Sequence, residues 1–205
     1  MGFIGIVDLK SNNSKSVLNV INSLGIEAKL VNTPDDILQS DRLVIPGVGH
    51  IDSIVRDMDK SGIRDALIDF SQSGRFLLGI CLGQHLLGKK SEESINAKTL
   101  GILDFEVNKL PNNFALGLRV PHVGWNSVYF DKNPPLFQSI PSSSDFYFTH
   151  SYGITVDTNC AMASTEHSVW FTSAAGRDNI FSVQFHPEKS QKVGRQLLNN
   201  FCNLT

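Results

Sequence analysis

The sequence predicts an α/β fold with a doubly wound, mostly parallel central sheet flanked by helices, and an added antiparallel strand region in the C-terminal half. In the first half of the chain, apolar runs of strand length alternate with segments whose apolar residues recur at helical spacing. Such alternation is typical of a parallel sheet with helices on both faces. The last third holds closely spaced strand patterns without intervening helices, which indicates hairpins.

The N-terminal segment predicts a β–α–β unit. Residues 3–7 form a buried-strand pattern, and residues 14–24 carry apolar side chains at helical spacing until Gly25 ends the helix. Residues 26–31 predict the second strand. Because the first residues lack a basic leader and a cleavage site, we expect a strand here rather than a signal peptide.

The next units lead toward the centre of the sheet. Thr33 followed by Pro34 is a capping-type start with proline at the first helical position. Residues 43–45 predict a third strand, which ends in Pro-Gly-Val-Gly at 46–49. Residues 51–73 predict one or two amphipathic helices. In this fold class, ligands gather beyond the carboxyl ends of the strands.

A cysteine lies between a strand and a helix in the run Gly79-Ile80-Cys81-Leu82-Gly83. Glycines two residues away on either side allow strand and helix to approach closely, so that the cysteine occupies a sharp, strained turn. The N–H groups at a helix N-terminus favour a thiolate there, and the N–H of Leu82 is a candidate oxyanion donor. By itself, a cysteine in an apolar run is more often a small buried hydrophobe.

The residues that would activate this cysteine are found in His186-Pro187-Glu188, directly after the strand pattern that ends in Val183-Gln184-Phe185. A lone histidine is more often structural. A histidine and a glutamate two residues apart, however, supply a thiol nucleophile with a proton acceptor and with a carboxylate that fixes its tautomer. Cys81, His186 and Glu188 are therefore the predicted catalytic residues.

The C-terminal half predicts mainly strands. Charged residues at 89–93 predict a solvated loop, and residues 102–107 alternate as a strand. Three further strand patterns, expected to pair as antiparallel hairpins leading to His186, lie at 160–165, 169–172 and 180–185. Residues 190–201 predict a closing helix.

Composition narrows the function classes. The length of 205 residues suits one domain, 1–205, with a substantial core. A net charge of −2 provides no large basic field, so we expect no nucleic-acid partner. The apolar runs are too short to cross a bilayer, so we expect no membrane partner. Three unpatterned cysteines fit a reducing, cytoplasmic compartment and argue against a disulfide scaffold or a metal site.

The Gly-x-Cys-x-Gly turn, paired with the distant His-x-Glu, resembles the triad-type (class I) glutamine amidotransferases, which have a flavodoxin-like fold. Within that class, residues 120–126 (Val-Pro-His-Val-Gly-Trp-Asn) are similar to a motif of the glutaminase subunits of imidazole glycerol phosphate synthase, which act in histidine biosynthesis. The resemblance implies hydrolysis of glutamine to glutamate and ammonia through a thioester on Cys81, without a cofactor. It also implies a heterodimer with a (β/α)8-barrel synthase subunit, which uses the ammonia to make imidazole glycerol phosphate and AICAR.

The resemblance also assigns roles to individual residues. Backbone N–H groups of the glycine-rich segment would join Leu82 in the oxyanion hole: Gly47, Val48 and Gly49. Residues that would bind the substrate are Gln84, His85, His150, Ser151 and Tyr152. Residues that would lie near the partner are Lys10, Asn13, Pro121, His122, Trp125 and Asn126. Without the resemblance, residues 46–49 would be interpreted as a turn that ends a strand, and residues 150–152 as polar residues at a strand end. Trp125 would then be interpreted as a core aromatic.

Two segments depart from the family pattern. Residues 8–13 (Asp-Leu-Lys-Ser-Asn-Asn) stand where the family usually has Asp-Tyr-Gly-x-Gly-Asn, so both glycines are missing and Lys10 and Asn12 would mark an altered partner. His85 occupies the place of a glutamine that helps to bind substrate, a loss for which Gln84 would compensate.

These departures leave alternatives open. One is a paralogous glutaminase that feeds ammonia to a sugar amidotransferase in surface-glycan biosynthesis. The others are a binding subunit without activity, and a cysteine hydrolase or chaperone of related fold.

Overall fold

The structure is a computed structural model that describes residues 2–9, 13–131, 134–155 and 157–205. The helices are α1 (Ser14–Asn22), α2 (Pro34–Gln39), α3 (Ile51–Ser61), α4 (Ile63–Gln72), α5 (Leu82–Leu87) and α6 (Gln191–Cys202). The first six strands are β1 (Ile4–Val7), β2 (Ala28–Val31), β3 (Arg42–Gly47), β4 (Leu77–Cys81), β5 (Lys90–Ser91) and β6 (Glu106–Lys109). The remaining strands are β7 (His122–Val128), β8 (Ser144–His150), β9 (Tyr152–Gly153), β10 (Ala161–Glu166), β11 (Trp170–Arg177) and β12 (Ile180–Val183).

The central sheet has seven strands in the order β10-β11-β12-β4-β3-β1-β2. Strands β2, β1, β3, β4 and β12 pair in parallel with one another in that order, whereas β11 is antiparallel to both β10 and β12. This arrangement confirms the predicted doubly wound sheet and its antiparallel C-terminal extension. Two smaller sheets, β5-β6-β9 and β7-β8, are built from the middle of the chain.

Apolar side chains cover both faces of the central sheet and form two hydrophobic clusters. Helices α1 and α6 contribute to the first cluster, through buried residues such as Val17, Ile21 and Leu197. Helices α2 to α5 contribute to the second, through residues such as Ile37 and Phe70. The predicted start of α2 is confirmed, because the Thr33 side chain accepts a hydrogen bond from the Asp36 backbone N–H and Pro34 is the first helical residue. Among the described residues, no helix has both the length and the apolar character needed to cross a bilayer.

The structure corrects the predicted strand over residues 102–107. Pairing begins only at Glu106, because residues 100–103 instead pack against the end of α5, where the N–H groups of Leu100 and Leu103 bond the carbonyls of Leu86 and Leu87. The solvated loop predicted at 89–93 is also partly wrong. Lys90 and Ser91 form β5, paired with β6, and only 9% of the Glu93 side chain is exposed.

Candidate active site

Cys81 occupies the strained turn that the sequence predicts. It is the last residue of β4 and directly precedes α5, with φ at 54°, a region that side-chain-bearing residues rarely adopt. A Cβ at Gly79 would lie 2.7 Å from the Gly83 carbonyl oxygen, and a Cβ at Gly83 would overlap the Ile45 carbonyl oxygen. Glycine at both positions therefore permits the close packing that places the cysteine at the carboxyl edge of the sheet.

Sheet topology brings the distant His-x-Glu segment to the same edge. Strands β4 and β12 are adjacent and parallel, with Ile80 opposite Val183, so His186 follows β12 beside the end of β4. Nδ1 of His186 lies 2.8 Å from Oε1 of Glu188, and both side chains are fully buried. Because a carboxylate only accepts, Nδ1 carries a proton and donates it, which leaves Nε2 for exchange with the cysteine.

Burial and the neighbouring side chains act in opposite directions on the pKa of His186. Burial alone would lower the pKa of the imidazole, but the nearby Cys81 and then Glu188 outweigh burial and raise the pKa to about 10. Cys81 raises the pKa of His186 both by charge and by side-chain hydrogen bonding, and Nε2 is the ring nitrogen that Glu188 leaves open to it. At neutral pH, His186 is therefore an imidazolium poised to donate a proton.

Asn13 lies behind the triad. Its Nδ2 atom is 3.4 Å from Oε1 of Glu188, and only 4% of the residue is exposed. The sequence had placed Asn13 at the partner surface, and its burial corrects that prediction. Its position beside the carboxylate indicates that it helps to orient Glu188.

A cavity of about 280 Å³ opens beside Cys81. Its lining includes most of the residues predicted to form the oxyanion hole or to bind substrate: Val48, Gly49, Leu82, His85, His150, Ser151 and Tyr152. Gly47 and Gln84 are not part of this lining. The Gln84 side chain is fully buried and donates to the Ser182 hydroxyl, 3.2 Å away, because its position on α5 turns it into the core. The structure therefore does not support the prediction that Gln84 binds substrate.

Glu93 is a cavity residue that the sequence analysis missed. Its carboxylate oxygens lie 3.9 Å from Nδ1 of His85 and 3.9 Å from Nε2 of His50. Because this glutamate stands in a run of charged residues, the sequence pattern resembled a solvated loop. A negative charge in this cavity favours a cationic group on the ligand.

His150 is joined to strand β7 by consecutive hydrogen bonds, in which each histidine accepts from one neighbour and donates to the next. Its Nδ1 donates to the Tyr152 carbonyl, 2.8 Å away, so its Nε2 accepts from Nδ1 of His122, 3.0 Å away. Nε2 of His122 then accepts from Asn126, 3.2 Å away. Both ring nitrogens of His150 are occupied, so its contribution to binding is to hold the Ser151–Tyr152 segment in place.

Burial keeps these two imidazoles neutral. It holds the pKa of His150 well below its ordinary value, and together with the neighbouring His167 it lowers the pKa of His122 to about 4. The stability that depends on neutral His122 is present above pH 6.5, its ordinary pKa, and is lost as the pH falls from 6.5 toward about 4.

We expect His122→Gln to weaken this acid sensitivity, because a glutamine can still donate to His150 but does not titrate. The measurement is the free energy of unfolding in denaturant, above and below pH 6.5, where each such histidine contributes a slope of up to about 1.4 kcal/mol per pH unit. His50→Gln is the control, because the His50 side chain is 57% exposed. If His122→Gln lost stability in acid as steeply as the wild type, His122 would not be a source of the acid sensitivity.

The residues predicted to meet a partner divide into two groups. Trp125 is 48% exposed, which overturns its alternative interpretation as a core aromatic, and Pro121 is also exposed. His122 is only 4% exposed, so it supports this surface from below rather than forming it, whereas Asn126 is half-buried. Lys10, like Asn12, lies outside the described residues. Among the residues that are described, no cluster of three or more His, Cys, Asp or Glu side chains could hold a metal ion.

The chain is similar to known proteins along nearly its whole length. Residues 5–204 match the glutamine amidotransferase class-I family. The chain is 38% identical over 202 residues to the imidazole glycerol phosphate synthase subunit HisH of Buchnera aphidicola, covering 98% of this chain and 100% of that protein. It is 36% identical over 201 residues to the HisH subunit of Methanocaldococcus jannaschii, covering 98% and 99% of the two chains.

Solved structures share the fold at lower sequence identity. A crystal structure of a glutamine amidotransferase superposes with a TM-score of 0.76 at 20% identity, covering 98% of this chain and 97% of that one. The structure of PurLQS from Thermotoga maritima gives a TM-score of 0.73 at 15% identity, with 99% of each chain covered.

Proposed function

Because the chain belongs to the class-I glutamine amidotransferase family, we propose that it is the glutaminase subunit of imidazole glycerol phosphate synthase and supplies ammonia for histidine biosynthesis. The observation that carries this proposal is the convergence of Cys81, His186 and Glu188 at one edge of the sheet, beside a cavity. The cavity volume of about 280 Å³ is at the small end of the range for ligand sites, as an amino acid substrate requires.

The chemistry runs in two steps. The Cys81 thiolate attacks the side-chain carboxamide of glutamine, and the His186 imidazolium protonates the departing nitrogen, so that ammonia leaves and a thioester remains. His186 is then neutral and takes a proton from water, which attacks the thioester and releases glutamate. Glu188 stabilises the imidazolium and fixes its orientation in both steps. The residues present supply all these functions, so the proposed reaction uses no cofactor.

The oxyanion of each tetrahedral intermediate would be stabilised by backbone N–H groups. Leu82 directly follows the nucleophile and lines the cavity, as do Val48 and Gly49. We propose that these residues, with Gly47 before them, form the oxyanion hole. The left-handed φ of 104° at Gly49 suits a peptide that can rotate between two orientations.

Other residues of the cavity lining suit the amino acid part of glutamine. The Glu93 carboxylate supplies a negative charge for the α-ammonium group, and Nδ1 of the adjacent His85 lies 3.9 Å from it. Ser151 and Tyr152, held in place by His150, complete this region. His85 therefore occupies a binding position even though it replaces the glutamine of the family pattern.

A partner must collect the ammonia, because free ammonia protonates in neutral water and ceases to be a nucleophile. We propose a heterodimer with a (β/α)8-barrel synthase subunit that docks on the surface around Pro121, Trp125 and Asn126. Exposed Trp125 is suited to this role, because large aromatic side chains are common anchors of protein interfaces. We further propose that residues 1–205 act as one domain and that the complex is cytoplasmic, in keeping with its free cysteines.

The experiment that tests this function is rescue of a histidine auxotroph that lacks its own glutaminase subunit. We expect growth without histidine when this chain is expressed with its cognate synthase subunit. No growth, together with ammonia transfer to a sugar amidotransferase, would instead support the role in surface-glycan biosynthesis. Activity in neither assay, with intact folded protein, would favour a binding subunit.

A further inference from the structure

Two buried polar side chains, His85 and Gln184, are linked to each other and to Cys81. Through Gln184, they reach the sulfur from the end of strand β12, independently of His186. Nε2 of Gln184 faces the Cys81 sulfur at 3.8 Å, and Oε1 of Gln184 lies 2.9 Å from Nε2 of His85. Gln184 is fully buried and His85 is 4% exposed, so water does not compete for these contacts. The backbone N–H of Gln184 also bonds the Ser173 carbonyl at 2.9 Å, which fixes the start of the side chain.

The directions of these hydrogen bonds depend on one another. The amide oxygen of Gln184 can only accept, so His85 must carry a proton on Nε2 and donate it. With its oxygen held by His85, the amide turns its N–H group toward the sulfur. The reverse orientation would place a carbonyl oxygen against the thiolate and would require Nε2 of His85 to accept. A donor at His85 therefore selects the amide orientation that favours a negative sulfur.

The other ring nitrogen of His85 does not hold the ring in place. Nδ1 is buried and makes no hydrogen bond within the described residues, and Glu93 lies 3.9 Å away. The His85 ring is therefore anchored at Nε2 by Gln184, while Nδ1 lies near Glu93, another residue of the cavity lining.

We propose that Gln184 is an additional hydrogen-bond donor to the Cys81 thiolate and that His85 is a positioning residue, which holds the Gln184 amide in the orientation that stabilises the nucleophile. This inference rests on the proposed function, because it requires Cys81 to react as a thiolate. It gives His85 a role that does not depend on substrate contact. Any residue at position 85 that donates to Gln184 should preserve that role.

The test compares His85→Leu, which removes the donor, with His85→Gln, which keeps an amide N–H at this position. The readout is alkylation of Cys81 by iodoacetamide in the absence of glutamine, followed across pH by the mass of the peptide that contains Cys81. Losing a hydrogen bond to a charged group should slow alkylation at neutral pH by about 10-fold or more in His85→Leu. The midpoint of the alkylation profile of His85→Leu should then rise by about one pH unit. The alkylation rate of His85→Gln should stay within about twofold of the wild-type rate.

Two further measurements distinguish a positioning role of His85 from misfolding of the variant and from substrate binding alone. Thermal unfolding checks that each variant is folded, and His85→Met replaces His85→Leu if the leucine variant is not. If the folded apolar variant keeps the wild-type alkylation profile and changes only KM for glutamine, His85 serves substrate alone and the proposal is overturned. Failure of the proposed function looks different, because the wild type with its synthase subunit would then release no ammonia from glutamine, whatever the alkylation profile of Cys81.

Discussion

Replacing Cys81 by alanine is expected to abolish glutamine-dependent formation of ammonia. Without the sulfur there is no thioester, and the imidazolium of His186 has no adduct to protonate. Removal of a nucleophile that acts as a unit with its base lowers kcat by about 10⁴-fold or more. The measurement is glutamate release from glutamine by the complete complex of Cys81→Ala with its synthase subunit.

The substitution is small, so its effect can be assigned to chemistry. Cys81 is 6% exposed, and Cys160, which is 8% exposed, provides a matched control. Cys160→Ala should retain activity close to that of the wild type, because its sulfur contacts the Thr158 hydroxyl and not the cavity. The Cys81→Ala complex should also still form imidazole glycerol phosphate when ammonia is supplied directly, because the synthase site is on the other chain. Glutamine-dependent activity of Cys81→Ala near the wild-type level would refute the proposed nucleophile.

Binding of the ligand-occupied synthase subunit is expected to accelerate glutamine hydrolysis by about 100- to 1000-fold. The physical reason is that one oxyanion donor is worth about that factor, and the peptide around Gly49 can withhold or supply such a donor by rotating. We expect the rotation to follow docking, because Val48, Gly49 and Pro121 line the same cavity and Pro121 belongs to the proposed interface. The measurement is glutaminase kcat of this chain alone, with the partner, and with the partner and its ligand.

A pair of surface variants tests whether the stimulation comes from the proposed face. Trp125→Ala should raise the concentration of synthase needed for half-maximal stimulation, because it removes an exposed aromatic anchor. Leu38→Ala is the control, since Leu38 is 39% exposed but its carbonyl is bonded to Arg75, near the start of β4 and away from Cys81. Equal effects of the two substitutions would place the docking surface elsewhere, and no stimulation of the wild type would contradict the coupling.

Local patterns were enough to predict the fold and the arrangement around Cys81. The spacing of Gly79, Cys81 and Gly83 specifies a strained turn by short-range sterics, and the structure has that turn. The pairing of this turn with the His186 segment was predicted from the chemistry of the two motifs. The strand before His186 was expected only in antiparallel hairpins, whereas β12 is also parallel to β4, and this brings both segments to one edge. Strand boundaries in the middle of the chain were less accurate, because residues 100–103 are held by tertiary contacts with α5 rather than by their alternation.

The roles of site residues that could not be predicted from the sequence depend on contacts between distant segments. Glu93 lies in a charged run and becomes a cavity residue only because β5 pairs with β6. His150 is expected to bind substrate from its motif, yet both of its ring nitrogens are already bonded. Asn13 looked like a surface residue, but the chain folds it against Glu188, which is 175 residues away. In each case the polar partner is set by tertiary packing, which no local pattern encodes.

The central claim is that this chain releases ammonia through a glutamyl thioester on Cys81. The most direct test is to quench the complete complex with acid during turnover of glutamine and to map the adduct by mass spectrometry of its peptides. We predict a γ-glutamyl group on the peptide that contains Cys81, absent from the Cys81→Ala variant and absent without glutamine. Ammonia release at the full rate with Cys81 unmodified at every time point would contradict the account.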